Sequence, residues 1–314
     1  MVVSHSLKNP LISRRDTLNA VLGGMAALTL RQSSLAQGGG LSTTKLADNF
    51  SLITGAGSTV LVQVSPEGCL LVDCGSPERS PELLKAVGEL SGNKPVRVLF
   101  DTHWHYESTG GNETLGKAGS KIIAHENTKL WLTTEIDQQW TKREFTPLPK
   151  IAWPNETFYT TGKTTFGGQP VEYGYLAQAH TDGDIYIHFP NVNILMAGDA
   201  VQPGRFPVLD WTTGGWITGM VDAQKVLLGV ATADTQIVPA SGPVMTKAEL
   251  QANYDKLTAL RDLFLKNFRM GKSPQDMLSE DMVKDFADWG DPKQFMSNCY
   301  RGMWGHVREV GGIV

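Results

Sequence analysis

Val96-Arg-Val-Leu-Phe-Asp-Thr-His-Trp-His-Tyr-Glu-Ser-Thr-Gly-Gly-Asn112 decides how this chain is read. Its first five residues form an apolar, β-branched run that predicts a strand, and side chains along an extended chain alternate with a period of two. His103 and His105, two residues apart just past that run, therefore point the same way, as the two arms of a metal clamp would. Glu107 adds a carboxylate. Gly110 and Gly111 make a turn into a helix expected over 112 to 118, with Asn112 as its cap.

Two histidines at this spacing also suit satisfied polar groups, so the reading depends on what lies further along. Ala179-His180-Thr-Asp-Gly-Asp184 places a third histidine at a strand-to-turn junction, and Leu195-Met-Ala-Gly-Asp199 places a carboxylate just after an apolar strand. Ligands at the ends of several strands of one sheet can converge on a point. Three imidazoles with a fourth position open define a catalytic zinc site.

The surrounding chain is compatible with such a protein. The 314 residues, 41% hydrophobic and 19% charged, have the composition of an ordinary globular protein with a sizeable core. A formal charge of −4 without a long basic run gives no electrostatic footprint for nucleic acid. Cys69, Cys74 and Cys299 do not make a disulfide framework; Cys69 and Cys74 bracket an extended run and read as buried small hydrophobes.

The first 36 residues read as an address. Ser13-Arg14-Arg15-Asp16-Thr17-Leu18 opens an apolar segment to Leu30, followed by Ser34-Leu35-Ala36, a small-x-small cleavage pattern. That segment falls short of the roughly 20 residues a membrane-spanning helix needs. It resembles a twin-arginine signal peptide, with Thr17 where a Phe is usual. The expectation is a periplasmic or secreted protein with no stable membrane insertion after signal cleavage.

After Gly38-Gly-Gly40, strands are expected at 50–54, 59–64, 69–73 and 96–100, with a helix over Pro81 to Leu90. A strand over Lys121 to Ala124 and a helix near Glu126 to Thr134 follow. Trp140 to Pro154 is Pro-rich and aromatic and reads as a long surface loop, either the roof of a pocket or a linker. A second set of strands is expected at 157–160, 171–176, 185–189, 193–197 and 236–238, with a helix over Gly219 to Leu228. From Thr246 the spacing is helical, with Leu250, Tyr254, Leu257, Leu260 and Phe264 on one face, and the tail adds two more helices.

Four features, in order, carry a resemblance: Thr102-His-Trp-His105 with Thr109-Gly-Gly-Asn112, His180-Thr-Asp-Gly-Asp184, Gly198-Asp199 and Pro239-Ala-Ser-Gly-Pro243. From roughly Lys45 to Val244 the chain resembles the metallo-β-lactamase-fold hydrolases. The resemblance implies an α/β (α+β) four-layer αββα sandwich of two mixed β-sheets flanked by helices, with the metal site along one sheet edge. The organisation expected is a signal peptide over 1–36, the metallo-β-lactamase-like domain over 37–245 and a C-terminal helical extension over 246–314 packed on that domain.

The resemblance also implies roles for residues. His103, His105 and His180 match the three-histidine zinc site, and Asp199 matches a carboxylate that bridges two metals. The second site departs from the family. Where its pattern reads His-x-His-x-Asp-His, this chain has Glu107 and Ser108; where it reads Pro-Gly-His-Gly-Pro, this chain has Ser241. Serine hydroxyls are poor zinc ligands, so one Zn2+ is expected and a second is doubtful.

Glu107 can hold or deprotonate a water on the metal, or reach a weak second ion together with Asp199, and these two are the catalytic candidates. Either Asp73 or Asp101 can orient a ligand histidine. The expected function is mono-zinc hydrolysis of an ester, thioester, lactone or related acyl bond of a small molecule by metal-bound hydroxide. The opposing reading is a non-catalytic binding descendant of the fold, with an apolar pocket beside the metal plugged by Trp104 or Tyr106.

Overall fold

The computed structural model describes residues 40–279 and 282–309. The signal-peptide reading therefore lies outside the described residues.

The chain opens as an antiparallel meander: β1 (Ser42–Ala47), β2 (Phe50–Ala56), β3 (Ser58–Ser65) and β4 (Gly68–Val72). Helix α1 (Ser80–Ser91) crosses over to β5 (Val96–Phe100), which pairs parallel to β4. The short helices α2 (Tyr106–Thr109) and α3 (Asn112–Lys117) lead to β6 (Lys121–His125). Helix α4 (Glu126–Leu132) and a hairpin of β7 (Ile136–Gln138) and β8 (Arg143–Phe145) precede β9 (Glu156–Phe158). The first sheet has the order β1-β2-β3-β4-β5-β6-β9.

The second sheet is β10 (Thr161–Phe166), β11 (Gln169–Tyr175), β12 (Ile185–Phe189), β13 (Ile194–Gly198) and β14 (Gln236–Pro239), in sequence order. Its last pair is parallel because α5 (Ile217–Val230) makes the crossover. Helices α6 (Lys247–Arg269), α7 (Pro274–Ser279) and α8 (Lys293–Gly305) complete the chain.

Alternation along the strands builds the layers. On one face of the first sheet Ile53, Val60, Val62 and Leu71 pack on Leu83 and Val87 of α1 and Leu115 of α3. From the other face Leu52, Leu61, Leu70, Phe100 and Ile123 meet Val171, Ile187, Met196 and Val238 of the second sheet. The far side of that sheet, Leu195 and Ile237, packs on α5, α6 and α8 through Ile217, Leu257 and Met296. This is the helix, sheet, sheet, helix sandwich, and its central strands β4 and β13, each with one parallel neighbour, are buried on both faces.

One edge of the sandwich collects the chemistry-bearing segments. The parallel strands β4 and β5 end at Val72 and Phe100 and release Asp73 and Asp101–His105 there; β13 ends at Gly198 and releases Asp199. Since β12 runs antiparallel to β13, the turn bearing His180, which precedes β12, lies at the same end. Backbone bonds tie the two sheets along this edge: Ile185 N donates to Thr102 O at 2.9 Å, and Thr59 N to Ala240 O at 2.7 Å. Gly198 has φ 55°, and a Cβ there would sit 3.1 Å from the Thr102 side chain. Only glycine makes that turn without strain or collision.

The segment 140–154 is more ordered than its composition suggests. Trp140 lies in the β7–β8 hairpin, and a 3-10 turn covers Lys150–Ala152. Asn112 is not the cap of α3; Gly111 holds that position. The Asn112 side chain instead donates to Asp101 Oδ2 at 2.8 Å and Ala152 O at 3.1 Å, and accepts from Cys74 Sγ. The three cysteines are free and buried.

Candidate metal centre

His103, His105 and His180 are all buried, and one nitrogen from each lies within 4.8 Å of the others. What each ring does with its other nitrogen fixes its orientation and tautomer.

His103 Nδ1 is 3.0 Å from Thr102 Oγ1. The Thr102 hydroxyl donates its only proton to Asp73 Oδ2 at 2.9 Å, and Thr102 N donates to Asp73 Oδ1 at 2.8 Å. The threonine oxygen therefore accepts from Nδ1–H, and Nε2 keeps its lone pair. That Nε2 is buried without a hydrogen-bond partner.

His105 Nε2 donates to Asp210 Oδ2 at 3.0 Å, which leaves its Nδ1 as the free lone pair. His180 Nδ1 donates to Val208 O at 2.7 Å, which leaves its Nε2. These two free nitrogens face one another at 2.9 Å. Two lone pairs at that separation repel unless a cation lies between them, either a proton or a metal ion. With the His103 Nε2 orphan, three imidazole acceptors share one small space, each held by a hydrogen bond at its other nitrogen. That donor set fits zinc, which takes neutral imidazoles steadied in this manner.

Asp210 is the site residue the sequence did not reveal. It is fully buried on the segment between β13 and α5. Besides His105 it accepts from Gln138 Nε2 (3.0 Å), Trp140 Nε1 (3.0 Å), Thr213 Oγ1 (2.9 Å) and Thr212 N (3.1 Å). Burial by itself would raise the Asp210 pKa, but the His105 hydrogen bond and charge and the other donors hold it well below the usual carboxylate range. For His105, burial would lower the pKa, yet the charge of Glu107 and the Asp210 bond outweigh it and push it up to about 9. His103 and His180 are lowered, chiefly by burial and then by the charge of His105. Without a metal, a proton added to the cluster resides on His105, whose Nδ1 then donates to His180 Nε2.

The carboxylates expected from sequence divide by position. Asp199 Oδ2 lies 3.6 Å from His103 Nε2, while Arg205 Nη2 is 3.7 Å from Asp199 Oδ1. Glu107 Oε1 is 3.9 Å from His105 Nδ1, and its side chain is 51% exposed, so it links the buried cluster to solvent. Asp73 orients His103 through Thr102. Asp101 does not touch a histidine; it bonds Asn112, and burial raises its pKa to about 7. Asp184 accepts from Thr181 N and Oγ1, and Asp182 from Trp131 Nε1.

Where the second ion of the resembled family would sit, Ser108 is fully buried with an unpartnered hydroxyl, and Ser241 is partly exposed. Trp104 packs beside the clamp: its ring meets the His105 ring edge-on at 4.3 Å, it is buried with Leu132 and Ile136, and its Nε1 donates to Thr213 Oγ1 at 3.0 Å. Tyr106 packs on Phe145 at 5.0 Å and donates from its hydroxyl to Thr146 O at 2.6 Å.

Comparison with known proteins gives the family of the chain. Residues 52–243 match the Metallo-beta-lactamase superfamily, so this chain belongs to that family of metal-dependent hydrolases. It is 25% identical over 210 residues to the 2,4-dinitroanisole O-demethylase subunit alpha of Nocardioides sp. (strain JS1661), over 65% of this chain and 58% of that protein. It is 26% identical over 204 residues to the metallo-beta-lactamase type 2 of Bacillus cereus, over 64% of this chain and 73% of that one. Among solved structures, the metallo-beta-lactamase from Pontibacter korlensis shares the fold with TM-score 0.56 and 23% identity, covering 69% of this chain and 99% of its own. The DIM-1 metallo-beta-lactamase gives 0.56 and 19%, covering 71% and 99%.

Proposed function

We propose that this chain is an exported hydrolase that holds a single zinc ion on His103, His105 and His180 and cleaves an ester, thioester, lactone or related acyl bond of a small molecule. The observation that carries the reading is the approach of His105 Nδ1 and His180 Nε2 to 2.9 Å beside the orphaned His103 Nε2, with every opposite ring nitrogen engaged elsewhere. Bound there, zinc supplies a Lewis acid that polarises an acyl carbonyl and makes water nucleophilic near pH 7.

The protein's own groups do the rest. Asp210, Val208 O and the Thr102–Asp73 pair hold the three rings in their ligand tautomers. Glu107, half exposed and 3.9 Å from His105, is placed to take up the proton of an attacking water. Asp199, near His103, can orient that water, and Arg205 offsets its charge. A single ion is favoured because Ser108 and Ser241 stand where second-site ligands would be. Export is supported by the Arg14-Arg15 segment and the Ala36 junction. Among the described residues no helix is long and apolar enough to cross a membrane.

The test is hydrolysis by the purified mature protein on a panel of esters, thioesters, lactones and β-lactams, with a nitroaryl methyl ether added because one relative is named as a dinitroanisole O-demethylase. Metal-dependent turnover of an acyl substrate, lost in His105→Ala, supports the reading. A zinc-loaded protein inert on every substrate contradicts the hydrolase part and leaves a binding protein.

A further inference from the structure

Two of the three histidines take their orientation from one irregular strap, Gln202–Trp216, between Asp199 and α5. Toward the site, Val208 O receives His180 Nδ1, Asp210 Oδ2 receives His105 Nε2, and Asp210 N donates to His180 O at 2.9 Å. The strap has no regular secondary structure beyond a 3-10 turn at Trp211–Thr213. Backbone bonds from Trp216 N to Ala179 O at 3.1 Å and from Asp182 N to Thr213 O at 2.8 Å hold its site-facing side, and a second support holds the other.

That support is α8 and the turn before it, which lie beyond the residues matched to the family. One face of α8 contacts the strap in order. The Phe295 ring stacks on Phe206 at 5.2 Å. Asn298, 1% exposed, donates from Nδ2 to Leu209 O at 3.1 Å and is itself fixed by Gln294. The Arg301 guanidinium lies 5.3 Å from the Trp211 ring. A Cβ on Gly302 would sit 3.1 Å from Gly215 O and 3.4 Å from Trp211 Cβ. His306, capping α8, stacks on Trp216 at 3.8 Å. Contacts at 295, 298, 302 and 306 follow helical spacing.

The strap is confined from both sides. A Cβ on Gly215 would fall 2.1 Å from His180 O, and Gly302 faces Gly215 from the opposite direction. The His180 backbone, the strap and α8 are thus stacked with glycines at both joints. A side chain at position 302 requires the Gly215 carbonyl or α8 to give by a few tenths of an ångström, and Gly215 has little room on its His180 side.

We propose that the C-terminal helix α8 is a buttress for the metal centre, and that Asn298 and Gly302 are positioning residues that set His105 and His180 through the strap. The proposal rests on these histidines binding a metal, but the positioning it describes exists in the metal-free protein too. By reciprocity, metal binding at the histidines must tighten α8 by the same coupling.

The experiment uses the full mature chain with Asn298→Leu, Gly302→Ala and the control Lys293→Ala, an exposed residue at the start of α8. Gly302→Ala improves helix propensity, so loss of α8 itself does not explain its effect. Two readouts are taken: imidazole nitrogen chemical shifts in metal-free protein held above the His105 pKa of about 9, where both rings are neutral and the shifts report the tautomers of His105 and His180, and zinc affinity by chelator competition. The expected result is a mixed tautomer population for these two rings and about tenfold weaker zinc binding in both variants, with Lys293→Ala like wild type. Wild-type shifts and affinity in both variants would overturn the buttress. Absence of zinc binding in wild type with altered tautomers in the variants would overturn the metal reading and leave the buttress standing.

Discussion

His105 Nε2 and Asp210 Oδ2 lie 3.0 Å apart, across 105 positions of sequence, and that bond decides which nitrogen His105 offers to a metal. Asp210 gives this orientation a rigid base because four further donors converge on its two oxygens. Asp210→Asn keeps the shape, removes the charge and places an amide against donors. It should weaken zinc binding by about 10-fold to 100-fold and destabilise the metal-free fold by roughly 3–5 kcal/mol, as breaking a buried charge pair does. Chelator competition and denaturant unfolding measure the two effects.

The same pair predicts how the metal-free protein responds to alkali. His105 is raised from 6.5 to about 9, so the stability it contributes is complete below pH 6.5 and is lost as pH climbs through about 9. Melting temperature in the presence of chelator should fall across that window. In Asp210→Asn the fall should be smaller, because the Asp210 bond and charge no longer raise the His105 pKa while the charges of Glu107 and Asp199 still do. Zinc uptake below pH 9 should release a proton, measurable in weakly buffered solution.

Asp101 adds a window at lower pH. Burial raises it from 3.8 to about 7, opposed by Asn112, so the fold favours its protonated form. Its stabilisation is present below pH 3.8 and is lost as pH rises to about 7. Asp101→Asn, which cannot ionise, should flatten this part of the pH–stability profile relative to wild type without changing zinc stoichiometry. An unchanged slope between pH 4 and 7 would count against a buried, proton-retaining Asp101.

Glu107 and Ser108 are neighbours with opposite expectations. Glu107→Gln removes the charge that does most to raise His105, so the metal-free protein should lose part of the stability that His105 contributes below pH 9, while kcat falls about 100-fold if the carboxylate takes the proton. Steady-state kinetics on a substrate found in the panel decide this. Ser108→Ala removes a buried hydroxyl that has no partner. It should be neutral or stabilising by up to about 1 kcal/mol, with kcat unchanged.

Much of this was legible in the sequence because the informative residues sit at junctions. His103, His105, His180 and Asp199 each follow or precede an apolar strand, and period-two alternation identified those strands without reference to distant partners. The helix faces of α1 and α6 were legible for the same reason, through Leu83 and Val87 and through Leu250, Leu257 and Leu260.

What was hidden lacks local periodicity. Asp210 lies in Leu209-Asp-Trp-Thr-Thr-Gly-Gly215, which signals a turn and nothing more. Its importance comes from contacts with His105 and Gln138 that no spacing encodes. The β7–β8 hairpin is made of three-residue strands, short and charged, paired through Ile136 and Phe145. The edge strand β1 is mostly exposed and polar, so its Ser-Thr-Thr-Lys gives no burial pattern. β10 alternates Thr with Gly and Lys and buries only Phe166 fully. Asn112 looked like a cap because asparagine favours helix starts; its side chain satisfies the buried Asp101 instead.

The central claim, a single metal centre on three histidines, is tested most directly by zinc titration under native mass spectrometry of the mature protein beside His103→Ala, His105→Ala and His180→Ala. The account predicts a mass increase of one zinc per wild-type chain at micromolar zinc and its loss in each variant. Wild type that takes up no zinc, or variants that retain it as wild type does, would contradict it.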